Sequence, residues 1–217
     1  MTNKPVLHDY WRSGAAWRVR IALKLKGLNY SRADHDLRIG AQLDPSYLSI
    51  APQGLVPALK VEAGVLTQSL ATIEWLEDSI PEPALLPSAA FDRAIVRGMA
   101  SLIACDIHPL NNLRVLSALR ESFNATEAQV ANWISRWIND GFSALEQLIK
   151  KHGEEFAFGH APTMADCCLV PQVYSARRFG VNLDPYPRIR AVDAKCAQHP
   201  AFIAAEASNQ PGADARL

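Results

Sequence analysis

This chain lacks a net charge: its 22 lysines and arginines are cancelled by 22 aspartates and glutamates. Without a global positive field, nucleic acid and anionic membrane surfaces are not expected partners. No apolar run reaches the length that spans a bilayer. The opening Met1-Thr2-Asn3-Lys4-Pro5 has no apolar segment of the secretory type, and a cytoplasmic location is expected. Cysteine is scarce and unpatterned. Cys105, Cys167, Cys168 and Cys196 form no C-x-x-C pair and no secreted framework, which agrees with a reducing compartment. Cys167 and Cys168 are adjacent on an expected helix and point apart, so no structural disulfide is expected between them. Repeats and low-complexity segments are also missing. What is present is 217 residues that are 49% hydrophobic, enough to build a sizeable core in one large domain or two small ones.

The chain changes character near Pro81-Glu82-Pro83. Before it, short strand and helix signals alternate. Val6–Tyr10 reads as a strand, Ala15–Lys26 as a helix and Tyr30–Asp36 as a second strand. A helical piece at Gln42–Ser49 follows, then strands at Pro57–Val61 and Gly64–Thr67. Leu70, Ile73 and Leu76 recur at helical spacing after Ser69, with Glu74, Glu77 and Asp78 placed to face water. The order β-α-β-α-β-β-α is the thioredoxin-like pattern. Ile80–Pro87 reads as a linker. Everything after it reads helical: Phe91–Leu119 with a break at Pro109, an amphipathic Thr126–Lys151, a buried Thr163–Phe179 and a last helix at Pro187–Gln198. The expected architecture is an α/β thioredoxin-like domain over residues 1–83 and an all-α domain over residues 88–217, with a loose end after Phe202.

Four segments carry candidate chemistry. In Trp11-Arg12-Ser13-Gly14-Ala15-Ala16-Trp17, a small-residue turn opens a helix whose apolar side carries Trp17, Ile21 and Leu25. Helix starts leave N–H groups unpaired and carry partial positive charge. Ser13 there can cap the helix or donate to an anion such as a thiolate. In Gln53-Gly54-Leu55-Val56-Pro57, a proline opening a strand marks an edge or a special backbone. Gln68-Ser69 sits at a strand-to-helix turn, where Ser69 can cap the helix and the same amides can hold a carboxylate. In Cys105-Asp106-Ile107-His108-Pro109-Leu110-Asn111-Asn112, the Cys and His share a helix face. No second ligand pair follows, and no metal is expected.

Two further segments complete the reading. Tyr174-Ser175-Ala176-Arg177-Arg178-Phe179 ends the buried helix with an arginine pair. It suits the helix C-terminus, and it suits bidentate carboxylate binding. Thr163-Met164-Ala165-Asp166 fits a capping box ahead of the apolar run from Cys167, a folding role worth about 1 kcal/mol.

Together these motifs resemble the zeta-class glutathione transferases, the maleylacetoacetate and maleylpyruvate isomerases. The resemblance runs from about Leu7 to Phe202, with Phe158-Gly159 and Leu169-Val170-Pro171-Gln172 adding to it. It implies glutathione as cofactor and a homodimer. By position, it implies that Ser13 stabilises the glutathione thiolate. Val56, Gln68 and Ser69 are implied to hold the peptide and Gln42 its glycine end. The Val56–Pro57 bond is implied to be cis, with the Val56 backbone facing the cysteinyl part. His108, Pro109 and Asn112 fall on positions that line the mouth of the site. The maleyl keto-acids are dicarboxylates, and Arg12 with Arg178, and Arg177 after it, is the expected grip on them. In one place the chain departs from the family. Many zeta enzymes read Ser-Ser-Cys where this chain reads Ser13-Gly14-Ala15, which leaves thiolate activation to Ser13, the amides and the helix dipole.

The reading that follows is glutathione-dependent cis–trans isomerisation of maleylacetoacetate or maleylpyruvate. The alternatives are a general transferase that conjugates or dehalogenates small electrophiles, and a non-catalytic binding protein of the same fold.

Overall fold

In the computed structural model, which describes residues 4–213, Val6–Asp9 forms β1. β1 pairs in parallel with β2 (Ser31–Asp34) and antiparallel with β3 (Ala58–Val61), which pairs antiparallel with β4 (Gly64–Thr67). The sheet order is therefore β2-β1-β3-β4. Register puts Leu7 opposite Leu59, and both are fully buried. Apolar positions at that period on the middle strands explain why these segments pair rather than coil. The helices of this half are α1 (Gly14–Leu25), the short α2 (Pro45–Leu48) and α3 (Ser69–Ser79). The strand and helix order matches the thioredoxin-like pattern; the first three strands are shorter than their sequence signals, and β4 spans the residues expected for it. The opening Met1–Asn3 and the end expected to be loose, its last four residues, lie outside the described residues.

The chain divides into two units. One runs up to Leu85 and takes back the closing segment from Gln198 on; the other is Leu86–Ala197. The boundaries read from sequence, 1–83 and 88–217, differ from this division mainly in that closing segment. Just beyond Phe202 the described residues are held in place: α9 (Pro200–Ala205) and a 3₁₀ turn at Ala207–Asn209 follow, and α9 packs on α1. Gln210 is buried and ties the turn down, donating to the carbonyls of Ala204 and Glu206 and accepting from Arg32.

A second correction concerns Glu77, expected to face water. It is buried and pairs with Lys26 Nζ at 2.7 Å, and its carboxylate also accepts from the Leu85 N–H. The same ammonium donates to the carbonyls of Pro81 and Pro83, so the proline-rich stretch is anchored at its start.

In the second unit α4 (Ala90–Ser101) runs into a π-helical turn at Leu102–Ile107 and a 3₁₀ turn at His108–Asn111 before α5 (Leu113–Glu121). The break expected at Pro109 thus begins seven residues earlier, because the helix widens before the proline ends it. Gly141 makes room for this: a Cβ there would sit 2.3 Å from Ile107 Cδ1. Gly141 lies in α6 (Glu127–His152), whose buried seam is Val130, Ile134, Ile138, Phe142, Leu145 and Ile149. Trp133 and Trp137 lie beside that seam, half-buried. α7 (Met164–Arg178) is buried along most of its length and packs on α4 and on α8 (Pro187–Cys196).

Candidate functional site

Ser13 ends the loop after β1 and caps α1. Its Oγ accepts from the Ala16 N–H at 3.3 Å, and its carbonyl accepts from Trp17. A hydroxyl whose oxygen is engaged by a backbone donor keeps its own hydrogen for another acceptor. Gly14 and Ala15 open the helix, so their N–H groups have no carbonyl in the helix to meet. These donors and the dipole converge where an anion is favoured. Capping and anion donation therefore coexist at Ser13. Arg12 next to it is half-buried, with its guanidinium 5.3 Å from the centre of the Trp11 ring.

The second element is the approach to β3. The Val56–Pro57 bond is cis, as the resemblance implied. Val56 itself is buried. The carbonyl before it, of Leu55, accepts from the Tyr47 hydroxyl at 2.7 Å. Tyr47 stands on α2 against the rings of His8 and His35, and burial pushes its pKa up to about 12. Gly54 takes a positive φ of 62°, and a Cβ on it would lie 2.9 Å from Leu43 Cδ2 and 3.3 Å from the Gln42 carbonyl. Glycine there brings Gln42 against the loop leading to Val56. The Gln42 Oε1 is buried with no protein donor among the described residues. A buried acceptor left open in this way fits a ligand that brings an N–H or O–H.

The third element is Gln68-Ser69. Gln68 is the N-cap of α3 and has φ 69°, ψ 117°, an uncommon conformation for a residue with a side chain. Its side-chain amide donates to Gln53 Oε1 at 2.7 Å. Ser69 is not the cap, as one reading of the sequence had it. It is the first helical residue, because the backbone turn falls at Gln68. The Ser69 hydroxyl, 7% exposed, instead accepts from Arg18 Nη1 at 3.3 Å. Guanidinium has no acceptor, so the Ser69 hydrogen again remains for another partner. Arg18, only 2% exposed, was missed by sequence reasoning. The available signal was an arginine set inside the apolar run Trp17–Leu23 of a helix buried on two sides. Ser13, Gln42, Val56, Gln68 and Ser69 thus lie on segments of one unit that these contacts tie together. The donor set suits a peptide with a thiolate and carboxylates.

The remaining candidates belong to the second unit. His108 opens the 3₁₀ turn and is half-buried. Asn112 caps α5, its side chain accepting from the Arg114 N–H at 3.3 Å. Its neighbour Asn111 has both amide atoms buried without a protein partner among the described residues. That amide is open to a water or a ligand, a feature the local sequence does not signal. Arg177 and Arg178 close α7 and are exposed. Arg177 pairs with Asp193 at 2.7 Å, while the Arg178 guanidinium lies 4.3 Å from the centre of the Phe179 ring.

Asp166 is the acid of a complete capping box, accepting from the Thr163 N–H and hydroxyl at 2.8 and 2.9 Å. It also accepts from the Ala157 N–H at 2.8 Å. Burial pushes its pKa up to about 6, outweighing those hydrogen bonds, which act the other way. Among the described residues no group of His, Cys, Asp or Glu is gathered to hold a metal. Nor is any described helix long and apolar enough to cross a membrane.

Known proteins are similar to this chain in sequence and fold. The glutathione S-transferase N-terminal domain family matches residues 12–79, and the glutathione S-transferase C-terminal domain family matches residues 116–192. The chain is 50% identical over 208 residues to a maleylpyruvate isomerase of a Ralstonia species, covering 94% of this chain and 98% of that one. It superposes with TM-score 0.94 on the holo structure of a maleylpyruvate isomerase described as a bacterial zeta-class glutathione S-transferase, at 48% identity over 96% of this chain and 100% of the other. A maleylacetoacetate isomerase of Anaeromyxobacter dehalogenans, with glutathione bound in its active site, superposes with TM-score 0.89 at 42% identity, covering 97% and 98% of the two chains.

Proposed function

The chain belongs to the zeta-class glutathione transferases, and from that footing we propose that it is a glutathione-dependent cis–trans isomerase of maleylpyruvate or maleylacetoacetate. The observation that carries this reading is Ser13, whose oxygen is engaged by the Ala16 N–H at the start of α1 while its hydrogen remains to be donated. When bound, glutathione would supply the thiolate for reversible addition to the maleyl double bond, the displaced electron pair being held as the enolate of the adjacent ketone until rotation about the single bond and loss of the thiolate restore the double bond.

The chain's residues divide the work. Ser13, with the first amides of α1, donates to the thiolate and keeps it ionised. The Val56 backbone lines up the cysteinyl part. Gln68 and Ser69, at the positive end of α3, hold the γ-glutamyl carboxylate, with the Arg18 cation behind Ser69. The open Gln42 Oε1 accepts from the far end of the peptide. His108 and Asn112 border the bound peptide. Arg12 takes a substrate carboxylate, and Arg178 is assigned the other. Arg177, engaged with Asp193, serves the packing of α7 on α8. Homodimeric assembly and a cytoplasmic location belong to the same reading; sedimentation of the purified chain checks the first.

The test is turnover of each maleyl acid with and without glutathione, beside Ser13→Ala. Glutathione-dependent turnover is expected, lowered in Ser13→Ala together with a raised pKa of the bound thiol. Unchanged turnover and unchanged thiol pKa in that variant remove Ser13 from the mechanism. A second reading, a non-catalytic binding protein of the same fold, is favoured by one feature: Gly14 and Ala15 bring no side-chain donor to the turn. Glutathione binding by a chain that neither isomerises the maleyl acids nor conjugates a neutral chromogenic electrophile would establish it, whereas conjugation without isomerisation would make the chain a general transferase.

A further inference from the structure

Arg20 lies on the second turn of α1 with a fully buried side chain. Its guanidinium meets several acceptors at once. Nη1 donates to both oxygens of Asp9, at 2.8 and 3.0 Å, and to the Tyr10 carbonyl at 3.4 Å. Nη2 donates to the Trp11 carbonyl at 2.8 Å, and Nε to the Ala205 carbonyl at 3.0 Å. A buried ion pair is a weak source of stability, since well-packed apolar residues of similar volume commonly serve as well or better. An apolar residue cannot, however, hold carbonyl groups in place. Tyr10 and Trp11 are the link between β1 and the Ser13 turn. The Tyr10 carbonyl also accepts the Ser13 N–H, at 2.9 Å. One carbonyl is thus shared between the guanidinium and the residue that caps α1. Asp9, at the end of β1, is braced in turn by Arg32 Nε at 2.9 Å.

We propose that Arg20 is a positioning residue for the thiolate site: by holding the Tyr10 and Trp11 carbonyls it sets the Ser13 turn, and so the direction in which the Ser13 hydroxyl donates. The inference rests on the reading of Ser13 as the thiolate's donor. Arg20→Lys isolates it. Lysine keeps a charge for Asp9, but its point-like ammonium cannot reach the carbonyls spread around the edge of the guanidinium. A small displacement of a positioned donor is costly for turnover and cheap for binding. Turnover is therefore expected to fall roughly 10- to 100-fold, and KM for glutathione to change by less than about threefold. The pKa of the bound thiol, read from thiolate absorbance against pH, is expected to rise.

Leu76→Ala, a buried change at the far end of α3, controls for lost stability and should leave the thiol pKa at the wild-type value. If Arg20→Lys also leaves it there, or if Leu76→Ala raises it as much, Arg20 has no positioning role, and the reading of Ser13 stands untouched. If the wild type itself does not ionise bound glutathione, it is the proposed function that fails. Should Arg20→Lys not fold, amide hydrogen exchange on the wild type decides. A braced turn protects the Ser13 N–H to within roughly tenfold of the Ile21 N–H, and exchange about a hundredfold faster overturns the proposal.

Discussion

Replacing Asp166 with alanine should cost this protein more than a helix cap is worth, and the cost should depend on pH in an unusual direction. The carboxylate is fully buried and accepts from two backbone amides and one hydroxyl. The Thr163 hydroxyl can turn to another acceptor; the Ala157 and Thr163 amides cannot. Each buried donor left unpaired costs about 1–3 kcal/mol, so the loss is about 2–6 kcal/mol. The Ala157 bond makes the difference from a simple cap, because it ties the loop before α7 to the helix start.

The carboxylate's own burial acts in the opposite sense. Its folded pKa is raised from 3.8 to about 6. Such a group contributes stability below the unfolded pKa and loses it as pH rises through the folded one. The penalty of Asp166→Ala should therefore be largest in acid and shrink by roughly 2 kcal/mol between about pH 4.5 and about pH 7.5. Urea unfolding of both proteins at the two pH values measures this, and the difference between them cancels every other titrating group. A penalty that grows with pH would show that the hydrogen bonds to the ionised form outweigh its burial. Turnover per folded molecule should survive; its collapse in a folded variant would place Asp166 in the reaction.

Two other predictions concern charge. Arg178→Lys and Arg12→Ala should each weaken binding of the maleyl acid, because a charge-assisted hydrogen bond to a carboxylate is worth roughly 1.5–3 kcal/mol. Glutathione affinity should hardly move, and normal isomerase turnover in both variants would dismiss the arginine grip. The His8 and His35 rings lie 2.9 Å apart, nitrogen to nitrogen, against Tyr47. Burial first, then His35 and Lys60, lowers the His8 pKa from 6.5. Burial also lowers that of His35, against the opposing pull of Asp34, Asp44 and Asp9. Bases depressed in this way contribute stability above the unfolded pKa that is lost as pH falls. Thermal unfolding should thus move to lower temperature below about pH 6.5, and less so in His35→Gln; an identical slope in the variant rules the pair out as the cause.

What the sequence disclosed was local. Ser13 before small residues, Thr163 three residues ahead of Asp166, and the alternation of short strands are patterns within one turn or one hairpin, and each appears where expected. What it concealed was made by residues far apart in the chain. Glu77 reads as a solvent-facing helix charge until Lys26 arrives beside it. The segment after Phe202 is rich in small residues and turn formers, which says nothing of the Arg20 donor that meets Ala205 or the Arg32 donor that meets Gln210. Ser69 reads as a cap because the sequence does not reveal that Gln68 takes the positive φ. Periodicity reports which face is apolar, not which buried charge a distant segment will satisfy.

Three of the buried cations, Arg18, Arg20 and Lys26, lie on α1 or at its C-cap, and their placement explains how the site is held. α1 is buried from Ala16 to Leu23, so any cation there must find acceptors inside the protein. Arg18 meets Ser69 at the start of α3. Arg20 meets Asp9, the loop carbonyls before Ser13 and the end of α9. Lys26, at the C-terminal end where a cation suits the dipole, meets Glu77 and the proline-rich stretch. Each cation fixes α1 to a different segment of the same unit. The helix whose first turn presents Ser13 is therefore pinned near its start, middle and end, and a donor on so constrained an element changes direction little when a charged ligand arrives.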